Sequence, residues 1–294
     1  MPTTDLAEAA IRWYDANARD LPWRGPDATP WGVLVSEIML QQTPVSRVLP
    51  AWEAWLARWP VPAALAADTP AEAIRMWGRL GYPRRAMRLR ECAVAMVERH
   101  GGEVPADLDE LLALPGVGTY TARAVAAFAY GQRHPVVDTN VRRLVARASQ
   151  GEPDAGPTTT AADLVATEEL LPLEPARAAR ASVAFMELGA LICTARTPKC
   201  ADCPLAEACA WRVSGRPAST GPTRRPQQYA GTDRQVRGLL LAVLRGTTGP
   251  VPRTRLDLVW PDDVQRDRAL TSLLADGLVE RHGERYALAG DVRM

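Results

Sequence analysis

Apolar positions recur at three- and four-residue spacing from the beginning of the chain. Leu6, Ala9, Ala10, Trp13 and Tyr14 share one helical face, and Thr3 and Thr4 stand ahead of it as available caps. The same period predicts helices near 51–59, 70–78, 84–100, 107–113, 119–130, 140–149, 159–171 and 175–192, closed by Pro or Gly and without a fixed repeat. Between Pro30 and Pro44 the run PWGVLVSEIMLQQTP is too long for a typical buried strand, and Thr29 followed by Pro30 supplies a helix start. Strand-like alternation is scarce before the C-terminal segment, so residues 1–212 are predicted to form an all-α body. Val213–Thr232 is rich in Pro, Gly, Ser and Thr and reads as a linker. Beyond it, the pattern predicts helices at 233–245, from Arg253, and at 262–276, then two short alternating runs around His282-Gly283-Glu284. Three helices and a hairpin over 233–294 predict a small winged-helix-like α+β unit.

Composition narrows the classes. A chain of 294 residues accommodates about two domains, and 47% hydrophobic with 23% charged residues excludes disorder and collagen. The net charge of +1 argues against a strongly polybasic tail but averages over the molecule, so local charge decides nucleic-acid binding. Neither a signal peptide nor an apolar run of about 18 residues is present, which predicts a soluble, cytoplasmic protein without membrane association.

Cysteine placement adds chemistry. Cys193, Cys200, Cys203 and Cys209 crowd into one loop, as suits a metal centre in a reducing compartment. Four thiolates satisfy tetrahedral zinc or an iron–sulfur cubane alike. Cys92 stands apart in an amphipathic helix and reads as a core residue.

Glu37 lies among Val33, Leu34, Val35, Ile38, Met39 and Leu40, where desolvation would raise its pKa and suit it to general acid catalysis; the plainer alternative is a Glu facing solvent or an Arg. In LPGVGTYTARAVAAFAYG, Gly116 and Gly118 separate a short from a longer helix. That helix-hairpin-helix pattern (114–125) brings backbone N–H groups to a phosphate, whereas an ordinary αα-turn would use glycine for positive φ alone. Asp138 precedes a helix and reads either as an N-cap worth about 1 kcal/mol or as a catalytic carboxylate; with Glu37 it would supply the carboxyl pair that glycosidic cleavage uses. Tyr82 beside Arg79, Arg84, Arg85, Arg88 and Arg90 has the composition of a wedge with phosphate contacts, although Arg-rich helix faces are often solvated surface.

These features in this order resemble the endonuclease III superfamily of helix-hairpin-helix DNA glycosylases, and specifically its MutY branch, the adenine glycosylases. The likeness runs from about Trp13 to Cys209. It is carried by LPWR at 21–24, SEIMLQQT at 36–43, RLGY at 79–82 in place of GLGY, LPGVGTYTA at 114–122, VDTN at 137–140 in place of the frequent VDGN, ELGALICT at 187–194, and the cysteine loop. The resemblance implies a 4Fe-4S cluster on Cys193, Cys200, Cys203 and Cys209. It also implies a monofunctional, monomeric enzyme acting on double-stranded DNA, which extrudes and removes adenine mispaired with 8-oxoguanine or guanine. By the same resemblance Glu37 protonates adenine, Asp138 stabilises the sugar cation, and Tyr120 and Asn140 assist. Arg24 and Glu187 contact the extruded base, Gln42 and Thr43 lie on the 8-oxoguanine side, and Tyr82 wedges beside the orphan base.

Well-known members carry a larger, β-rich, Nudix-like C-terminal domain, for which residues 233–294 are too short and too helical. Through the linker this unit can reach DNA or the catalytic body, with Arg266, Arg268, Arg281 and Arg285 as its candidate contacts; Asp262, Asp263, Asp267 and Asp276 offset them, so a sensor of the opposite base, a lid and a protein-docking unit all stay open. Rival readings are a thymine mismatch glycosylase, a glycosylase/lyase and a non-catalytic DNA-binding protein. The lyase needs an amine where Tyr120 stands, and the chain's only lysine is Lys199.

Overall fold

The computed structural model describes residues 4–219 and 229–291; the Thr3 cap and part of the 213–232 linker lie outside them. The chain is mainly helical, with a three-stranded sheet near its end.

The helices are α1 (Thr4–Asn17), α2 (Pro30–Leu40), α3 (Val45–Arg58), α4 (Pro62–Ala67), α5 (Pro70–Trp77), α6 (Arg84–Arg99), α7 (Leu108–Leu112), α8 (Thr119–Tyr130), α9 (Thr139–Val145), α10 (Ala161–Glu168), α11 (Pro175–Leu191) and α12 (Ala210–Val213). Then come α13 (Asp233–Arg245), strand β1 (Val251–Pro252), α14 (Arg253–Asp257), α15 (Asp263–Ala275), and strands β2 (Val279–His282) and β3 (Arg285–Leu288). A 3-10 turn covers Pro22–Arg24, and α9 runs on into a π-helical stretch at Ala146–Gln150. Pro50 lies inside α3, which starts before the predicted 51–59 helix. Pro50 lacks the N–H that would reach the Ser46 carbonyl, so it reads in sequence as a stop.

Contacts divide the chain into two units whose bounds differ from the sequence-based domains. One holds the described residues of Met1–Val33, Ala106–Leu112 and Val117–Thr223; the other holds those of Leu34–Pro105, Ala113–Gly116 and Arg224–Met294. In the first, α1 and α9 lie along α11. Their apolar faces, with that of α8, share a core that includes Ile11, Tyr14, Val141, Leu144, Phe185 and Leu188.

In the second unit α4 and α5 pack on α6. Trp55, Trp59 and Trp77 stack edge to face, with centroids 4.6 and 5.6 Å apart. The C-terminal elements of this unit form an antiparallel sheet of order β1-β3-β2, in register Val279↔Leu288 and Val251↔Tyr286, against α13 and α15. Their core takes in Ala71 and Ile74 of α5 together with Leu240, Leu244, Leu270, Leu273 and Leu288. No helix among the described residues is long and apolar enough to cross a membrane.

Candidate active site and iron–sulfur loop

Helix α2 is apolar nearly all round and buried along Val33–Met39, as a helix without a polar face must be. Glu37 is carried on it at 5% exposure, so its carboxyl is largely desolvated. The turn after α2 holds Gln42, exposed at φ 55, and Thr43, which is buried. Arg85 organises this turn. Its guanidinium donates to the carbonyls of Ile38 (2.9 Å), Met39 (3.1 Å), Gln41 (2.6 Å) and Gly81 (3.1 Å) and to Thr43 Oγ1 (3.1 Å), satisfying carbonyls that the end of α2 leaves without helical partners. It also stacks over Trp77 and Tyr82, and burial pushes its pKa down to about 10, still well above neutrality. Tyr82 is 48% exposed at φ 48, a conformation costly for a residue with a Cβ.

The arginine stripe beside Tyr82 is therefore only partly a surface. Arg85 is taken up as above, and Arg90 donates to the carbonyls of Asp68 (2.7 Å) and Ala66 (3.1 Å), leaving Arg79, Arg84 and Arg88 exposed. Arg88 has a second function: Gly116, at φ 78, packs so closely that a Cβ there would stand 2.8 Å from Arg88 Cβ. Gly118 caps α8 in extended conformation and faces open space, and Tyr120 follows half-buried in the first turn.

Asp138 caps α9. Its Oδ1 accepts from the N–H groups of Asn140 (2.8 Å) and Val141 (2.7 Å), and its Oδ2 from Asn140 Nδ2 (2.8 Å). Burial still pushes its pKa up against these donors and the Arg143 charge. The capping and catalytic readings of Asp138 are compatible, because the helix start orients a carboxylate that is half-buried. Asn140 Oδ1 in turn accepts from Arg143 (2.9 Å), whose guanidinium donates to the carbonyls of Gly189 (2.7 Å) and Cys193 (2.6 Å). A continuous hydrogen-bond chain thus joins Asp138 to the first residue of the cysteine loop.

Glu187 is fully buried on α11 and receives two cations. Arg19 binds it at 2.6 and 2.8 Å and Arg24 at 2.6 Å, while the Arg19 backbone N–H adds 3.2 Å. Burial alone would raise its pKa; the Arg19 hydrogen bond and the Arg24 charge outweigh that and hold it at about 2. Sequence reading missed Arg19, which lies in an N-terminal segment with no contrast to mark it.

Cys193, Cys200, Cys203 and Cys209 line one cavity with Leu144, Ile192, Leu205 and Trp211. Among the described residues no three Cys, His, Asp or Glu side chains converge as a single-ion site. Four soft thiols around one cavity are a donor set that fits an iron–sulfur cubane. Burial pushes Cys203 up to about 11 and raises Cys209, so bound iron would supply the charge that draws the protons off. Arg147, buried on the π-helical stretch, lies 3.6 Å from Cys193 Sγ and donates to the Thr194 carbonyl at 2.8 Å, a cation suited to an anionic thiolate cluster.

Comparison with known proteins agrees with this chemistry. Residues 35–169 match the HhH-GPD superfamily of base excision DNA repair proteins, and residues 193–209 match the iron–sulfur binding domain of endonuclease III. The chain is 59% identical over 283 residues to an adenine DNA glycosylase of Mycolicibacterium smegmatis, covering 96% of this chain and 95% of that one. It is 57% identical over 283 residues to an adenine DNA glycosylase of Mycobacterium tuberculosis, covering 96% and 92%. Among solved structures, a thermostable thymine-DNA glycosylase superposes with TM-score 0.65 at 25% identity over 72% of this chain and 97% of that one. The near-complete coverage of both mycobacterial relatives extends the likeness through the C-terminal elements, and the chain belongs to the adenine DNA glycosylases of the helix-hairpin-helix superfamily.

Proposed function

We propose that this protein excises adenine mispaired with 8-oxoguanine or guanine in double-stranded DNA, by hydrolysis of the N-glycosidic bond, as a monomer in the cytoplasm at the nucleoid. The observation that supports it most is Asp138. It is a half-buried carboxylate held by amide donors, with no guanidinium hydrogen-bonded to it among the described residues, so it is suited to stabilising a sugar cation.

In this reading a base is extruded, because a stacked adenine cannot reach a buried acid. Glu37 protonates the adenine ring, the C1′–N9 bond breaks with its electron pair going to the base, and Asp138 faces the oxocarbenium-like sugar. Water then adds at C1′ and gives up a proton, replacing the one Glu37 donated, to leave an abasic site. Tyr120 and Asn140 orient these groups. Arg24 contacts the extruded base and Glu187 acts through Arg24 as a positioning residue, since Glu187 is itself fully buried. Gly116 and Gly118 present backbone to phosphate, Gln42 meets the opposite base with Thr43 holding the turn behind it, and Tyr82 enters the stack. When bound to the four cysteines, the 4Fe-4S cluster supplies charge and order to the loop.

The test is a single-turnover panel of A:8-oxoguanine, A:G, T:G and oxidised-pyrimidine duplexes, with borohydride trapping. Adenine release from the first two without a trapped complex is expected. Release of thymine in preference to adenine, or efficient trapping, overturns the assignment.

A further inference from the structure

The C-terminal elements do not offer the basic face that their arginines suggested. Arg268 pairs with Asp233 at 2.7 Å, Arg266 with Asp257 at 3.0 Å and Arg281 with Glu284 at 2.6 Å, while Arg285 donates to the Pro250 carbonyl at 2.8 Å. Every cation nominated for a phosphate is already engaged. These elements attach instead to α5 and, through a more exposed ion pair, to the first residue of α6, the two shoulders of the turn that carries Tyr82.

At the α5 shoulder the contact is continuous from end to end. A Cβ at Gly290 would stand 2.9 Å from Pro70 Cδ, so the chain after β3 lies directly on the start of α5. Ala71 and Ile74 are buried in the core formed by α13, α15 and β3. Arg75 donates to Asp291 at 2.6 Å and to the Thr247 carbonyl at 2.8 Å. Arg245, at the end of α13, donates to the Ile74 carbonyl at 3.2 Å, near the end of α5 where carbonyls lack helical partners. Burial pushes the Arg245 pKa down to about 10, with the Arg79 charge adding to that effect. At the other shoulder Asp276, which also holds Arg237 at 2.6 Å, pairs with Arg84 at 3.4 Å.

Between the shoulders lies a turn with positive φ at Gly78, Gly81 and Tyr82, strained at Tyr82, which alone of the three carries a Cβ. It is tied from within by Trp77 Nε1 donating to the Gly81 carbonyl at 2.9 Å. A side chain that is to enter a base stack must keep its backbone from relaxing, and strained conformations persist only where the surroundings over-determine them.

We propose that residues 233–291 are a brace for the Tyr82 turn, acting through Arg245 and Asp276 as positioning residues, and that they improve mismatch engagement by holding the wedge in place. The part of this inference that concerns mismatches rests on the reading of Tyr82 as the DNA wedge. The mechanical part does not.

Two measurements on the full chain test it. Amide hydrogen exchange across Gly78–Arg85 should quicken by about tenfold in Arg245→Gln, and in Asp276→Asn, relative to the unaltered protein, because local opening follows the loss of tertiary ties. Unchanged protection of that segment in both variants overturns the brace. If one variant fails to fold, the other carries the test, since they act on opposite shoulders.

The second measurement is a double-mutant cycle of Arg245→Gln with Tyr82→Leu, read as affinity for an A:8-oxoguanine duplex. If Arg245 acts through Tyr82, the double variant should bind within about twofold of Tyr82→Leu alone. Losses that multiply would place the contribution of Arg245 elsewhere and overturn it. Should Tyr82→Leu alone leave binding intact, the wedge reading fails and the exchange result still decides the brace.

Discussion

Two carboxylates in one unit are held in opposite ways. Glu187 is sealed under Arg19 and Arg24 and sits at about 2, whereas Asp138 is met by amide donors at the start of α9 and its pKa is raised by burial. Both lie on or beside a helix, and both are removed from bulk water to some degree. What separates them is the counter-charge: Glu187 is ion-paired with two guanidinium groups, while Asp138 is hydrogen-bonded by amide donors alone, which in the proposed reading leaves its ionised form to meet a developing cation. Burial alone therefore does not single out a candidate reacting carboxylate; the partner that meets its charge separates Asp138 from Glu187.

The sharpest way to break the comparison is to remove each charge while keeping its shape. Asp138→Asn should cost about 10² to 10⁴ in the rate of adenine release, the range expected when one charged catalytic group is lost. The folded protein should be no less stable. Asn is as good an N-cap as Asp, and a carboxyl whose pKa is raised in the folded state contributes stability only at low pH, lost as pH rises through the raised value. At neutral pH nothing favourable is removed. Glu37→Gln should match it in rate loss while preserving mismatch affinity. If Asp138→Asn instead turns over normally, Asp138 is a cap and nothing more.

Glu187→Gln should behave in the reverse manner. It leaves two guanidinium groups facing a neutral amide, one of them largely buried, and should destabilise the protein by about 3 kcal/mol, the order seen when one partner of a buried pair is removed. The unaltered protein should lose the same contribution as pH falls from the ordinary glutamate range through about 2. Chemical denaturation at neutral pH reads the first effect, and acid unfolding of Glu187→Gln beside the unaltered protein reads the second. Equal stability of the two proteins at neutral pH would erase the distinction drawn above.

A smaller effect is expected from the chain between Asp138 and the cysteine loop. Arg143→Gln removes the bonds to the Gly189 and Cys193 carbonyls and loosens Asn140. About a tenfold loss in rate is expected, consistent with one charge-assisted hydrogen bond. The visible absorbance of a thiolate-ligated cluster, followed during chelation, shows whether iron is also lost sooner. A rate loss with unchanged cluster retention would confine the role of Arg143 to orienting Asn140.

How far the sequence foretold this site depends on the residue type. Apolar period and Pro/Gly punctuation locate α5, α6, α8, α11 and α13 within a residue or two, because a helix with one buried stripe writes that stripe into the chain. Asp138 before a helix and four cysteines in one loop are equally legible, since their chemistry depends on short spacings. The arginines are not. Arg19, Arg85 and Arg143 look like any surface cation, yet each spends its guanidinium on groups far away in sequence, which no local pattern encodes. The seating of the C-terminal elements on α5 escaped for the same reason: Ala71 and Ile74 read as ordinary positions of an amphipathic helix, and the partner that covers them lies more than 150 residues on.

The smallest predicted effect sharpens the account of Asp138 itself. If the ionised carboxylate stabilises the sugar cation, adenine release should fall as pH drops through a pKa above the ordinary aspartate value, because burial outweighs the Val141, Asn140 and Arg143 contributions that hold it down. The Asn140 side chain donates only to Oδ2 at 2.8 Å, and the Asn140 and Val141 backbone donors to Oδ1 do not depend on it. Asn140→Ala therefore removes one stabiliser of the charged form and keeps the cap. The acid limb of the pH–rate profile should move to higher pH, lowering the rate by about threefold at the acid end, where protonation competes with catalysis, and less at alkaline pH. A uniform loss at every pH would mean that Asn140 orients a reactant and leaves the proton affinity of Asp138 alone. A limb that stays in place with an unchanged rate would show that the two backbone N–H groups suffice to set the charge of Asp138.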